Sequence, residues 1–378
     1  SANFFPNGRG VFLNGSGTQT ISGSNSSFPT FPYLLIDKTS GSVSLGRDVQ
    51  VTAQLTFTSA NTALIDAGSY TLYVSGNATT AIDRLGVGHV VGNLRRAIAT
   101  GSNTYAYPVG DATNYTPVST ALNNVTVAGS ITAKSNAGDH PQIASSGIDA
   151  NKSVNRYYTL TNTGATLTSF DGTFTFVSGD VDAGANTANF LVGDYASAWT
   201  YPTIGTRTST TTQATSITSF GEFAIAECKA PAAYTVTGGG SYCSGSGGLA
   251  VGLSGSESGV AYQLKLDGVD IGSNVVGTGS AISFGNQTSG GVYTAVASSL
   301  ASSGCSNNMT DSVTIAVNPV VNPSISINTG TSTICTGTSV TFNATAQFGG
   351  SSPAYQWTLN SANVGSNSAT YTSSALAN

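Results

Sequence analysis

The chain has 378 residues, a formal net charge of −5 and 39% hydrophobic residues, enough for two to four domains of roughly 100 to 200 residues, each with a buried core. Charged residues make up only 8%, against about 25% in ordinary soluble proteins, so hydration rests on Ser, Thr, Asn and Gly. This balance suits an extracellular setting and excludes a nucleic-acid partner, which needs clustered Lys and Arg to displace counterions; Arg95 and Arg96 form too small a cluster.

The chain begins at Ser1 with neither Met nor a hydrophobic signal region, as expected of an exported product after signal removal, or of a fragment boundary. No apolar run is long enough to span a bilayer. Residues 1–80 carry short alternating apolar pieces at 11–13, 34–36, 43–45, 49–51, 55–57 and 71–74, separated by Gly, Asn, Asp or Ser. Strands this short suit the rungs of a β-solenoid, with Val, Leu and Ile recurring inward; a jelly-roll or sandwich leaves the same trace.

From 81 to 227 the strands lengthen. The stretch VVGNLRRAIATGSNTYAYPVG reads as a hairpin turning at 100–103, and VTVAGSITAK, VNRYYTLTN, GTFTFVSG, NFLVGDY and FGEFAIAE follow as further strands. Their number and regular turns predict a β-sandwich. Pro231 marks the exit from it.

Residues 228–320 and 321–378 are related. AYQLKLDGVDIGS at 261–273 returns as AYQWTLNSANVGS at 354–366, with Cys243 and Cys335 at nearly equal distances upstream. A repeat of this length is a whole small β domain, because solenoid units run only about 20 to 50 residues. The pattern predicts tandem immunoglobulin-like domains, the second incomplete, with Trp357 packing against the inter-sheet core where the first repeat has Leu264. The overall expectation is an all-β, multidomain chain. Cys243 and Cys305 bracket the first repeat and are expected to form a disulfide. Cys228 remains to pair with Cys335 of another chain, to pair with a missing segment, or to stay free. A sandwich without its last strands exposes an edge, so the second repeat is expected either to continue in a longer protein or to be completed by a neighbouring subunit through strand addition.

Little points to catalysis. His89 and His140 each sit beside a turn, without a nucleophile elbow of the G-x-S-x-G type. GDHP at 138–141 reads as a turn with Asp139 capping backbone amides. Asp180, Asp182 and Asn186 around Gly184 offer alternate oxygen donors to calcium, the one metal worth testing; no other cofactor is expected. Tyr195, Trp199 and Tyr201 in DYASAWTYP are either core packing or a surface for stacking on glycan rings.

Several stretches, among them VVGNLRR, YPVGDATNYTPV, SVNRYYTLTN, GEFAIAE, YCSGSGGLAVGLSGSESGVAYQLKLDG and SVTFNATAQFGGSSPAYQWTLN, resemble the repetitive cell-surface and secreted proteins of Bacteroidota over most of the chain from about Val91 onward. The resemblance implies large arrays of immunoglobulin-like and related β domains, exported by the type IX pathway and including surface adhesins. In that setting Asp311-Ser312-Val313 looks like a short O-glycosylation signal on Ser312. The expected function is a non-catalytic extracellular structural or adhesive protein, a segment or subunit of a surface fibre that associates with copies of itself or with surface glycans. The alternatives are a monomeric adhesin stalk and an accessory region of a secreted enzyme.

Overall fold

The computed structural model describes residues 9–23, 28–58, 63–299, 305–331, 333–374 and 376, and it is all-β, with only single 3-10 turns besides strands. The N-terminal part is solenoid-like. β1 (Val11–Gly15), β2 (Gln19–Ile21), β3 (Thr30–Lys38), β4 (Ser42–Leu45), β5 (Val49–Phe57), β6 (Leu64–Val74), β7 (Ile82–Arg84) and β8 (His89–Ile98) stack in parallel. A strand sends alternate side chains to opposite faces, so parallel rungs pile like residues on one another. Leu34 lies beside Leu55 and Ile82, Val43 beside Ile65 and Val90, and Val49 beside Leu72 and Leu94. All of these except Ile82 are fully buried. No single rung could cover such residues; stacking does. Gly88 is needed at the entry to β8, because a Cβ there would overlap the Phe57 ring and lie 2.5 Å from the Ala63 carbonyl oxygen.

A further stack runs from Val51 through Val74 and ends in Arg96. This arginine is 1% exposed. Its guanidinium donates to the carbonyls of Ala106 (2.6 Å), Ala78 (3.1 Å) and Thr79 (2.9 Å) and lies 5.1 Å from the ring centre of Tyr105. A buried charge has to be hydrogen-bonded in this way. Arg96 thus closes the solenoid core where the sheet turns from parallel to antiparallel.

The sheet itself does not stop there. β8 also pairs, antiparallel, with β12 (Gly129–Ala137). It is not half of a hairpin: the next strand, β9 (Thr104–Tyr107), crosses to a second sheet beside β11 (Val118–Asn123), while the short β10 (Val109–Gly110) returns to pair with β8. The first sheet continues from β12 through β13 (Ile148–Thr163), β19 (Glu222–Cys228), β15 (Leu191–Tyr195) and β16 (Trp199–Thr200). The second runs β17 (Thr203–Arg207), β18 (Thr211–Ile217), β14 (Ser169–Thr175), β11, β9. Aromatic rings join the two layers: Tyr158 meets Phe174 at 5.2 Å, and Phe174 stacks on Phe223 at 5.0 Å. One hydrophobic cluster reaches from Phe31 in β3 to Ile225 in β19. The boundary expected between residues 80 and 81 therefore falls inside a shared sheet and a shared core.

Beside the end of the solenoid, Arg156 is buried and gathers two carboxylates. Its Nε donates to Asp180 at 2.8 Å, its Nη2 to Asp111 at 2.6 Å and its Nη1 to Ser135 Oγ at 3.1 Å. His89 Nε2, at the start of β8, donates to the Asp111 carbonyl at 2.8 Å. The loop bearing Asp111 is thereby fixed from both the solenoid side and the sandwich side.

The repeats follow. In the first, β20 (Val236–Gly238), β22 (Leu249–Leu253) and β25 (Ile282–Gln287) face a sheet ordered β21 (Gly240–Cys243), β28 (Val313–Asn318), β26 (Gly291–Ser299), β23 (Val260–Leu266), β24 (Val269–Val276), with β27 (Ser306–Asn308) beside β26. Val251, Leu253, Tyr262, Leu264, Tyr293 and Ile315 fill this sandwich. In the second, β29 (Ser324–Thr329), β30 (Val340–Gln347) and β33 (Thr370–Ser373) form one sheet and β31 (Trp357–Leu359) and β32 (Ala362–Val364) a hairpin. Trp357 is buried, next to the rings of Phe342 and Tyr371. Ile325 and Ile327 on the same sheet are each 60% exposed. Among the described residues, nothing in this repeat corresponds to β26 and β28.

The cysteines pair differently from the expectation. Cys228 bonds to Cys305, with Cα atoms 5.6 Å apart, and Cys243 and Cys335 are exposed thiols. Cys243 lies at the end of β21, opposite Asn318 on β28, near the Gly291 end of β26. Cys305 lies at the other end of that strand, where its carbonyl accepts from the Ser299 amide. A disulfide needs Cα atoms within about 7 Å, and a nine-residue strand separates these two by far more. Cys305 instead faces the linker that leaves β19, where Asn307 Nδ2 also donates to the Pro231 carbonyl at 2.8 Å.

Candidate functional site

The outer face of the sandwich's first sheet carries the most organised polar cluster outside the core. Alternation turns Tyr158 and Leu160 of β13, Phe223 of β19 and Val192 of β15 inward, which leaves Tyr157, Thr159, Thr161, Glu222 and Tyr195 outward. Register aligns them across strands: Thr159 opposes Glu222, and Glu222 opposes Tyr195. The segment 138–147 folds over one end of this face, where Ile143 packs with Ile148, Ala224 and Ala226.

That segment brings in His140, which is 2% exposed. Its Nδ1 accepts the Gln142 N–H at 3.0 Å, so the proton sits on Nε2, which donates to Glu222 Oε2 at 2.8 Å. Three rings box the imidazole: Tyr157 at 5.1 Å, Tyr195 at 5.2 Å and Trp199 at 4.9 Å, all edge-on. The second Glu222 oxygen receives the Thr159 hydroxyl at 3.4 Å, and Thr159 accepts from Asn136 Nδ2 at 3.1 Å. Both histidine nitrogens are engaged, so the ring orients the carboxylate and is not set to take a proton from a substrate. The Glu222 side chain remains 38% exposed at the rim of a groove of about 340 Å³ that Thr159, Thr161, Tyr195 and Phe220 also line. A second depression of about 200 Å³ adjoins it, sharing Phe220 and Asn162.

The sequence-derived candidates fare unequally. Tyr195 lines the groove; Trp199 packs beside it, with ring centres 5.1 Å apart, and Tyr201 packs with the Ile143 and Ile148 cluster outside the groove lining. Trp199 lies close over Gly193 and donates to the Gln142 carbonyl at 3.2 Å, while Tyr201 accepts from the Gly147 amide. Both are half-buried packing residues, and neither lines the groove. The calcium candidates are each engaged by protein partners. Asp180 is committed to Arg156, whose positive charge repels a dication. Asp182 accepts from the Ser153 amide at 2.8 Å and from Asn155 Nδ2 at 2.7 Å, and Asn186 accepts from the Ala188 amide at 3.1 Å. Among the described residues, no group of three His, Cys, Asp or Glu is placed to hold a metal ion. Asp139 accepts from the Ser153 hydroxyl at 2.8 Å and not from backbone amides. Ser312 is exposed, immediately before β28 and after Asp311, whose φ is 61°.

Sequence reasoning missed His140 and Glu222. A histidine in a GDHP turn gives no sign of a glutamate 82 positions away; the one available signal was the polar Glu222 at an outward position of an otherwise apolar strand. Compared with known families and curated proteins, the chain matches no family model, and no curated protein is significantly similar to it.

Proposed function

We propose that the chain is a non-catalytic extracellular protein, a structural or adhesive segment or subunit of a surface fibre, built from immunoglobulin-like repeats attached to a solenoid and sandwich head. The observation that carries this reading is the Cys228–Cys305 bond, which links the last strand of the sandwich to the first repeat. Disulfides persist in oxidising compartments such as cell surfaces, and a covalent tie between successive units suits a load-bearing array. The 8% charged content and the solvent-facing hydroxyls support the same setting. An origin in Bacteroidota, export by the type IX route and glycosylation of Ser312 belong to the same proposal. Among the described residues, no helix is long and apolar enough to cross a membrane.

Negative-stain electron microscopy of the native, non-reduced protein tests it. Regular filaments with one subunit per axial repeat are the expected result for a fibre subunit. Isolated particles at all concentrations would redirect the reading to the second possibility, a monomeric stalk that binds glycans; the groove beside Glu222 favours that alternative over an enzyme's accessory region.

A further inference from the structure

We propose that the groove beside Glu222 and Tyr195 binds a neutral oligosaccharide, with the Tyr195 ring as the stacking platform and the Glu222 carboxylate as acceptor for sugar hydroxyls. This deepens the adhesive half of the function proposed above.

Glu222 and Tyr195 are directly opposed in an antiparallel pair, which sets their Cβ atoms about 4.5–5.5 Å apart. One ring lying on the tyrosine can therefore reach the carboxylate. A carboxylate only accepts hydrogen bonds, and a sugar presents hydroxyl donors around an otherwise apolar ring. The carboxylate is also held in advance. A buried histidine, itself fixed by a backbone amide and three aromatic rings, grips one oxygen, and Thr159 reaches the other. Such pre-ordering lowers the entropy lost on binding. Further along β19 the same outward row is filled by Ala224 and Ala226, covered by Ile143, so Glu222 is the position of this row that keeps a polar group at the groove.

The groove also has the extent for more than one ring. It continues past Phe220, which is stacked on Phe170 at 4.7 Å, into the adjoining depression lined by Thr166, Thr168 and Ser169. Asn162 forms a wall between the two and reads nothing, since its amide is engaged with both backbone groups of Ala165. The lining of both depressions holds one carboxylate and no cation, which disfavours phosphorylated or sulfated ligands and fits a neutral chain.

Isothermal titration calorimetry on the full, non-reduced chain tests this, with neutral linear tetrasaccharides of gluco, manno, galacto and xylo type. At least one should bind. Tyr195→Ala should weaken that binding by on the order of tenfold, from the loss of aromatic contact, and Tyr195→Phe should restore it. Glu222→Gln keeps an oxygen for His140 but loses the charge, and should weaken binding by about fivefold with an unchanged thermal midpoint. Silence from all four sugars would overturn the proposal. So would binding that both Tyr195→Ala and Glu222→Gln leave intact, or binding of an extended Ser/Thr-rich peptide without any sugar. Microscopy reads assembly and calorimetry reads the groove, so either proposal can fail without the other.

Discussion

Arg156 carries its charge into the interior and is met there by Asp111 and Asp180. Burial by itself would raise the Asp111 pKa, but the amides of Thr113 and Asn114 and the Arg156 guanidinium outweigh it and hold the carboxyl well below the usual range. The stabilisation from this group is thus fully present above its unfolded-state value of about 4, and it is lost as the pH falls through the lower folded value. Urea unfolding at a series of pH values should show Asp111→Asn losing less stability below about pH 4 than the parent chain. At pH 7, Arg156→Met should cost about 3–5 kcal/mol, because it strands a buried carboxylate. None of this was legible in the sequence, where Asp180 looked like a calcium ligand. Turn-forming Asp and cation-binding Asp are chemically alike, and only the fold reveals that the cation is an arginine 24 positions away.

For whole strands the legibility improves. Alternating apolar residues marked most strands, and the tandem repeat placed Trp357 in a core. What alternation cannot encode is the partner: a period of two is the same in a parallel rung and an antiparallel hairpin. That is why β8 and β9 read as a hairpin although β8 stacks on β6 and β9 belongs to the other sheet. The solenoid reading gives a sharp test at Gly88, which parallel stacking presses against Phe57 and Ala63. Gly88→Ala should destabilise the chain by about 1–3 kcal/mol through overpacking, seen as a lower midpoint in thermal denaturation. A hairpin without a rung beneath it would leave that substitution nearly silent.

In the molecule as a whole, solenoid and sandwich share one sheet and one hydrophobic cluster. Calorimetry should therefore record them as a single cooperative transition, separate from the first repeat, which has a core of its own. A chain begun at residue 81 removes β6 from beside β8 and uncovers Val90 and Leu94; it should fail to fold, as read by loss of the β-sheet circular dichroism signal. The domain border placed there by strand length had no physical basis, because strands lengthen without the core being interrupted.

The bond between Cys228 and Cys305 also has a mechanical meaning. Tension applied along the chain passes from the end of β19 through the two sulfurs, short-circuiting the 77 positions between them. The backbone that forms β20 to β26 then cannot be drawn out, and roughly 250–280 Å of extensible chain is withheld. Stretching single molecules before and after reduction should expose that hidden length only in the reduced form. In a fibre at a cell surface, a redox change would set how far each subunit gives before it yields.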